Sequence, residues 1–331
     1  MPPPCPALPP VIGHRGAAAH APENTLAGLR AANALGCRWV EFDVRLTADR
    51  ALVLCHDSRL GRTTDRTGRI AALPLAALRG ADAGIRFGAR FAGEPIPTLD
   101  EALSLARELG LGVNIEIKAD RGLAAATACA VAACLGQAQA QSTQAALAGL
   151  GPAIHVSCAL VGKPKEGVDA RNTSGQDERK LHPRSPEQLR RGGNDEGGSV
   201  SGMPILVSSF LFEAVAEMRR LAPSIATGLL LRRLPFGWAG LAARLGCTTI
   251  NLDHRRLSPA RIAALGAAGY KVLAYTVNDP TRAQLLFDWG VTSVFSDNPD
   301  IILASAAADS CPRRIEGAAS TAFRSRQGAV G

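Results

Sequence analysis

Two carboxylates stand two positions apart in Trp39-Val40-Glu41-Phe42-Asp43-Val44. Their alternation with Val40, Phe42 and Val44 has the period of a β-strand, which puts Glu41 and Asp43 on one face. Like charges on one face of an otherwise apolar strand repel and need compensation. A hard divalent cation supplies it directly through oxygen ligands. The pattern returns in Val113-Asn114-Ile115-Glu116-Ile117-Lys118, where Glu116 and Lys118 share a face. Two further polar pairs end apolar runs: His14-Arg15 after Val11-Ile12-Gly13, and His56-Asp57 after Ala51 to Cys55. Imidazoles titrate near neutral pH and suit proton transfer. Arg15 and Lys118 bring positive charge for an anion. Three carboxylates with no clustered cysteine read as an oxygen site for one divalent cation, Mg²⁺ or Ca²⁺, rather than Zn²⁺. Together these groups suit metal-assisted cleavage of a phosphate ester.

These side chains work together only on a scaffold that gathers strand ends. Strand patterns begin near Val11, Val40, Val113, Leu206, Ile225, Thr248, Lys271 and Thr292, and helix patterns alternate with them. The first helix runs through Leu26, Leu29, Ala32 and Leu35 to a stop at Gly36. The second opens at Thr98 with a capping-type start and runs to Gly110. Eight βα units predict an α/β fold, a (β/α)8 TIM barrel, with catalytic groups at the C-terminal ends of the strands. An open doubly wound sheet is the alternative, but no Gly-rich phosphate loop is present.

One barrel is expected over residues 10–304. Residues 58–97, rich in Gly, Arg and Thr, predict a small excursion after strand two. Residues 137–202 turn Gln/Ala-rich and then polar, with Gly-Gly pairs and Pro. That composition predicts a loosely ordered, low-complexity insertion between units three and four, whose first part can extend a helix. Because it follows a helix, it should hang from the face opposite the strand C-termini. Residues 305–331 predict a disordered tail. Without insertion and tail, roughly 230 residues remain, a usual barrel size.

Composition agrees with a globular enzyme. Hydrophobic residues make up 47% and aromatics only 4%, so the core should be built from Ala, Leu, Val and Ile. No stretch is apolar for long enough to span a membrane, and the start lacks signal-peptide character. A cytoplasmic location is therefore expected, with the eight cysteines reduced and buried. A formal net charge of +8 favours anionic partners. Nucleic acid is not expected, because the basic residues form no dense run interleaved with aromatics. Oligomeric state is not legible.

His14-Arg15-Gly16, Pro22-Glu23-Asn24-Thr25, Glu41-Phe42-Asp43-Val44, His56-Asp57, Asn114-Ile115-Glu116-Ile117-Lys118, Thr276-Val277-Asn278-Asp279 and Ser296-Asp297-Asn298-Pro299 occur in this order. In them the chain resembles the glycerophosphodiester phosphodiesterases from about Val11 to Leu303, apart from the insertion. The resemblance implies that Glu41, Asp43 and Glu116 hold one divalent cation and that His14 and His56 form the acid–base pair. It implies that Arg15 and Lys118 bind phosphoryl oxygens. The substrate would be a small glycerophosphodiester whose 2-hydroxyl attacks phosphorus. Water would open the resulting cyclic phosphate, giving glycerol 3-phosphate and an alcohol such as choline or ethanolamine.

Phe210 and Tyr275 are expected to wall the substrate pocket, with core packing the competing reading. Glu23 and Asn24 either touch ligand or cap the first helix. Asp297 is expected to cap the last helix, and His20, His155, His182 and His254 to be ordinary surface residues. Arg50 stands where the family more often has Gly, in the turn after strand two. Two other readings stay open: a related barrel phosphodiesterase acting on a phospholipid head group, and a non-catalytic barrel that binds phosphodiesters.

Overall fold

Strict alternation in the strand segments dictates two packed layers, an inner face lining a barrel and an outer face under helices. The computed structural model describes residues 2–148, 199–200 and 202–309. In chain order the elements are β1 (Val11–Gly13), α1 (Leu26–Ala34), β2 (Trp39–Leu46), β3 (Leu52–Leu54), α2 (Leu75–Leu78), α3 (Leu99–Glu108), β4 (Gly112–Ile117) and α4 (Ala124–Ala148). After them come β5 (Ser199–Val200), β6 (Met203–Ser209), α5 (Phe212–Leu221), β7 (Ala226–Leu231), α6 (Trp238–Leu245) and β8 (Thr249–Asp253). The series ends with α7 (Pro259–Ala267), β9 (Lys271–Tyr275), α8 (Pro280–Asp288), β10 (Ser293–Ser296) and α9 (Pro299–Asp309).

Strands β1, β2, β4, β6, β7, β8, β9 and β10 pair in parallel in that order, and β1 closes the ring by pairing with both β10 and β2. The expected (β/α)8 barrel is the fold. β3 is no stave; it folds back antiparallel onto the end of β2, with Val44 opposite Leu54. The turn between them places Arg50 at φ 66°, in the left-handed region that favours glycine. A non-glycine residue there costs about 1–2 kcal/mol. Thr47 holds the turn through its hydroxyl, which accepts from the Ala51 NH at 2.9 Å.

Outward residues Val40, Phe42 and Val44 of β2 and Val113, Ile115 and Ile117 of β4 are buried with Leu29, Leu99 and Ala102 from α1 and α3. The capping box expected at Thr98 is present: Thr98 accepts from the Glu101 NH, and the Glu101 side chain accepts from the Thr98 NH at 2.8 Å. A second helix–strand core covers β7 to β10. Inside the ring, Ile12, Trp39, Leu206, Ala226, Leu273 and Phe295 make an apolar floor. Above it the inward residues turn polar: the Asn114 amide donates to Ser208 Oγ at 3.0 Å and the Thr249 hydroxyl to Asn251 at 2.8 Å. The inward carboxylates Glu41, Asp43 and Glu116 lie at and above this polar layer, toward the C-terminal mouth.

Residues between β3 and α3 build their own small core from Val53, Cys55, Leu60, Ile70, Leu78 and Ile96. The segment is tied to the barrel where Glu94 accepts from the Ala27 NH at 3.0 Å, in the first turn of α1. α4 reaches Ala148, so the Gln/Ala-rich start of the expected insertion is helical. At its other end β5 pairs antiparallel with the start of β6. Both attachments lie at the face opposite the mouth, as the αβ position implies; residues 149–198 lie outside the described residues. α9 runs to Asp309, past the expected start of the tail at 305, and the rest of that tail lies outside the described residues. Cys37, Cys55 and Cys247 are buried as expected, whereas Cys129 is exposed on α4. Cys158, Cys311, His155 and His182 lie outside the described residues. Among the described residues no helix is long and apolar enough to cross a membrane.

Gly112 of β4 sits opposite Trp39 of β2. A Cβ there would stand 2.3 Å from the indole, which is itself buried in the barrel floor. Gly112→Ala is expected to cost about 1–3 kcal/mol by overpacking, read as a lower urea midpoint at unchanged slope. An unchanged midpoint would mean that Trp39 does not fill this space.

Candidate active site

The β2–β4 register brings the carboxylates together. Asp43 pairs across with Glu116, and Glu41 with Asn114. Glu41, Asp43 and Glu116 are all buried, and one oxygen from each lies within 4.8 Å of the others. Two cations meet them. Lys118 Nζ contacts Glu116 and lies 3.4 Å from Asp43, and Arg15 Nε lies 3.5 Å from the other oxygen of Asp43. The backbone NH of Arg15 donates to Glu41 at 2.9 Å, from a residue at φ 53°.

His14 follows β1 and His56 follows β3, and both ring Nδ1 atoms are held by a carboxylate. His14 Nδ1 lies 2.6 Å from Asp297, and His56 Nδ1 lies 2.7 Å from Asp57. The Nε2 atom of His14 lies 3.8 Å from Glu41. Asp297 therefore does not cap the last helix as expected; it sits between His14 and Asn278, whose amide donates to it at 2.8 Å. Closure explains this. β10 is the neighbour of β1, so a residue just after β10 lands beside a residue just after β1.

Glu23 and Asn24 turn out not to cap α1, whose N-cap is Thr25. Asn24, at φ 57°, donates to Asp43 Oδ2 at 2.8 Å and accepts from the Asp43 NH at 2.9 Å. Glu23 accepts from Arg15 at 2.9 Å and from both terminal nitrogens of Arg62 at 2.7 Å. Arg62 also donates through Nε to Asp57 at 2.6 Å. One arginine of the excursion thus braces the partners of both Arg15 and His56.

A cavity of about 580 Å³ opens at the mouth. His14, Arg15, Glu41, His56, Glu116 and Lys118 line one side, and Phe210 and Tyr275 the other. Asp43 lies behind this lining. All nine residues singled out in the sequence converge here. Phe210 and Tyr275 meet edge to face at 5.7 Å between centroids, and the Tyr275 hydroxyl donates to the Leu231 carbonyl at 2.8 Å. Of the remaining histidines, His20 is half-buried and paired with Asp300 at 2.9 Å, and His254 lies against Arg282.

Over residues 14–144 and 191–301 the chain matches the model of the glycerophosphoryl diester phosphodiesterase family. The chain belongs to this family. A phosphodiesterase of Oleispira antarctica, solved in complex with the product sn-glycerol-3-phosphate, is 32% identical, with 91% of this chain and 97% of that one covered at a TM-score of 0.70. A glycerophosphodiester phosphodiesterase of Caldanaerobacter subterraneus is 26% identical over 294 residues, 88% of this chain and 96% of that one. The bovine glycerophosphodiester phosphodiesterase 1 is 42% identical over 109 residues, 32% of this chain and 33% of that one.

In this family member the donor set fits a hard cation. Glu41 Oε1 has no hydrogen-bond donor, and among the described residues the Lys118 ammonium is the one cation that meets Asp43 Oδ1 and Glu116 Oε1. Buried orphan carboxylate oxygens are costly unless something neutralises them. Burial, then the Asp43 and Glu116 charges, hold Glu41 well above the usual carboxylate range. Burial and Asp43 push Glu116 up to about 7 against the pull of Lys118. Burial acts to raise Asp43 too, but Lys118 and Arg15 outweigh it and hold this carboxyl low. Burial lowers His56, with Arg15 adding to it and Asp43 and Asp57 opposing.

Two expectations follow from these shifts. Native Glu116 keeps its proton up to about pH 7, whereas the unfolded group releases it near 4.5. Between those values the folded state binds more protons, so stability should fall as pH rises through the window. Relative to Glu116→Gln, in which the opposing contribution of the lowered His56 is retained, the chelated wild type is expected to lose Tm from pH 4.5 to 7, and no relative loss would contradict the buried triad. The second expectation concerns Arg62→Met. Burial acts to raise Asp57, but Arg62 and His56 bring it down to about 2. Without Arg62, the full charge of Asp57 acts on His56 and favours its protonated form. The His56 titration, followed by imidazole NMR, should move to higher pH; no movement would remove Arg62 from this network.

Proposed function

We propose that this protein hydrolyses glycerophosphodiesters to sn-glycerol 3-phosphate and an alcohol, with His14 and His56 as its acid–base pair. The observation that carries the reading is one mouth shared by three buried carboxylates and two imidazoles, each imidazole oriented by its own carboxylate. The family match and the product in the Oleispira antarctica relative support the substrate class.

Glu41, Asp43 and Glu116 would hold one divalent cation, Mg²⁺ or Ca²⁺. When bound, it would screen charge on the phosphoryl oxygens. Arg15 and Lys118 bind those oxygens and orient phosphorus. The substrate's 2-hydroxyl oxygen bonds to phosphorus while its proton passes to one imidazole. The bond from phosphorus to the alcohol oxygen breaks, and that oxygen takes a proton from the other imidazole, in its protonated form. In the second stage water attacks the cyclic phosphate and gives up a proton. The bond from phosphorus to the 2-oxygen breaks, that oxygen is protonated, and glycerol 3-phosphate leaves. Because the two stages need proton transfers in opposite directions, two imidazoles with fixed tautomers suit the sequence. A low His56 pKa keeps that ring neutral and able to accept a proton at neutral pH. Phe210 and Tyr275 wall the alcohol side. A cytoplasmic location and a free small-molecule substrate complete the reading.

Glycerol 3-phosphate release from sn-glycero-3-phosphoglycerol tests it. Release should stop with chelator and return with Mg²⁺ or Ca²⁺. His56→Ala is expected to lower kcat at least about a hundredfold while keeping the wild-type Tm. Normal turnover in that variant would end the acid–base assignment, and chelator-resistant release would end the cation assignment.

A further inference from the structure

The wall of the mouth facing the triad carries charges that the proposed reaction does not use. Arg232 follows β7, and Asp253 and Arg255 stand at and just after the end of β8; all three line the cavity. Arg255 grips Asp253 in a bidentate pair, Nη2 to Oδ2 at 2.7 Å and Nε to Oδ1 at 2.9 Å, and the Arg255 side chain is still 77% exposed. Arg232 is exposed and, among the described residues, makes no ion pair or hydrogen bond. The carboxylate on this wall is therefore already neutralised, and a guanidinium is left over.

A phosphodiester has two arms. If the glycerol arm and phosphorus sit against β1, β2 and β4, the alcohol arm points toward β6 to β9. A quaternary or primary ammonium on that arm needs an open aromatic face or an unpaired carboxylate. On this wall Asp253 and the Phe210 ring each already have a cation. The Lys118 ammonium already lies 5.3 Å from the centroid of the Phe210 ring, and Asp253 is taken by Arg255. A guanidinium with free N–H groups is instead a fork for phosphate or carboxylate.

Resting on the phosphodiesterase reading above, we infer that the alcohol-arm subsite selects an arm bearing its own phosphate, with Arg232 as the residue that reads it and Arg255 adding field. The choline and ethanolamine products implied by the family resemblance are then the poorer fit.

Three diesters with the same glycerol arm test this: sn-glycero-3-phosphocholine, sn-glycero-3-phosphoglycerol, and the latter with a phosphate on its outer glycerol. For the wild type at low salt, kcat/KM for the phosphorylated arm should exceed that for choline at least about fivefold, mainly through KM. The gap should shrink as salt rises. Arg232→Glu, a change at an exposed position, should cut the ratio of phosphorylated arm to choline at least about tenfold, and Arg232→Gln should fall between. A wild type that uses the choline diester equally well or better overturns the inference. So does a variant that slows all three diesters by one factor. Either result, with sn-glycero-3-phosphoglycerol still cleaved, leaves the phosphodiesterase reading standing. If none of the three is cleaved, that reading and this inference fall together.

Discussion

Three carboxylates gathered in one buried place are the constraint around which this barrel is arranged. Two unit charges about 4 Å apart repel by about 4 kcal/mol at an effective dielectric near 20. Strand register leaves no escape, because Asp43 faces Glu116 across a parallel pair and Glu41 lies one inward position below. Arg15 and Lys118 offset part of this, and their proximity is what keeps Asp43 ionised. Two cations against three carboxylates leave one charge over. Glu41 and Glu116 answer by holding protons into ranges where a free carboxylate would have lost them. Carboxylates that hold protons in this way, with Glu41 Oε1 lacking a donor, form a donor set that fits a hard cation.

Orientation around the triad comes from carboxylates and amides one step further out. Asp297, Asp57, Glu23 and Asn24 each hold one working side chain by a bond of 2.6–2.9 Å. Positive φ at Arg15 and Asn24 belongs to the same scheme. At Arg15 it aims a backbone NH at Glu41, and at Asn24 it lets one amide reach both the side chain and the backbone of Asp43. Such backbone costs of order 1 kcal/mol persist where surrounding contacts over-determine them. The excursion after β3 enters this shell through Arg62, so a segment outside the barrel proper helps set the charge balance at the mouth.

The sequence carried the parts of this site that follow from local periodicity. Alternation at Glu41 and Asp43 sets their common face, and a polar pair closing an apolar run marks a strand end at His14 and Glu116. What was not legible depends on closure and on long loops. Asp297 read as a helix cap because that is what an Asp before Asn-Pro does locally. Its bond to His14 spans 283 positions and exists only because β10 pairs with β1. Arg62 lies in a stretch without periodicity, so nothing local announces that it reaches Glu23 and Asp57. Arg232 follows β7, whose inward residues Ala226, Gly228 and Leu230 are small or apolar, and Arg255 follows β8, where the polar alternation of Thr249, Asn251 and Asp253 was the signal that could have marked it. The helical extension expected for the Gln/Ala-rich start of the insertion is present. α4 continues through a Gln/Ala-rich run whose residues are good helix formers, although the apolar stripe that signals burial fades there.

The mouth is divided by function as well as by strand. The carboxylates, the two imidazoles, Arg15 and Lys118 come from the ends of β1, β2, β3 and β4, within residues 14–118, with Asp297 as the late contribution. The wall from β6 to β9 carries an aromatic pair and exposed arginines, none of which touches the carboxylate triad except through Lys118. Changes on that wall would leave the register that holds Asp43 against Glu116 undisturbed. α4 ends and β5 begins at the opposite face. A barrel makes this separation possible because each stave contributes its last inward residues to the mouth independently, while closure keeps the staves in a fixed ring.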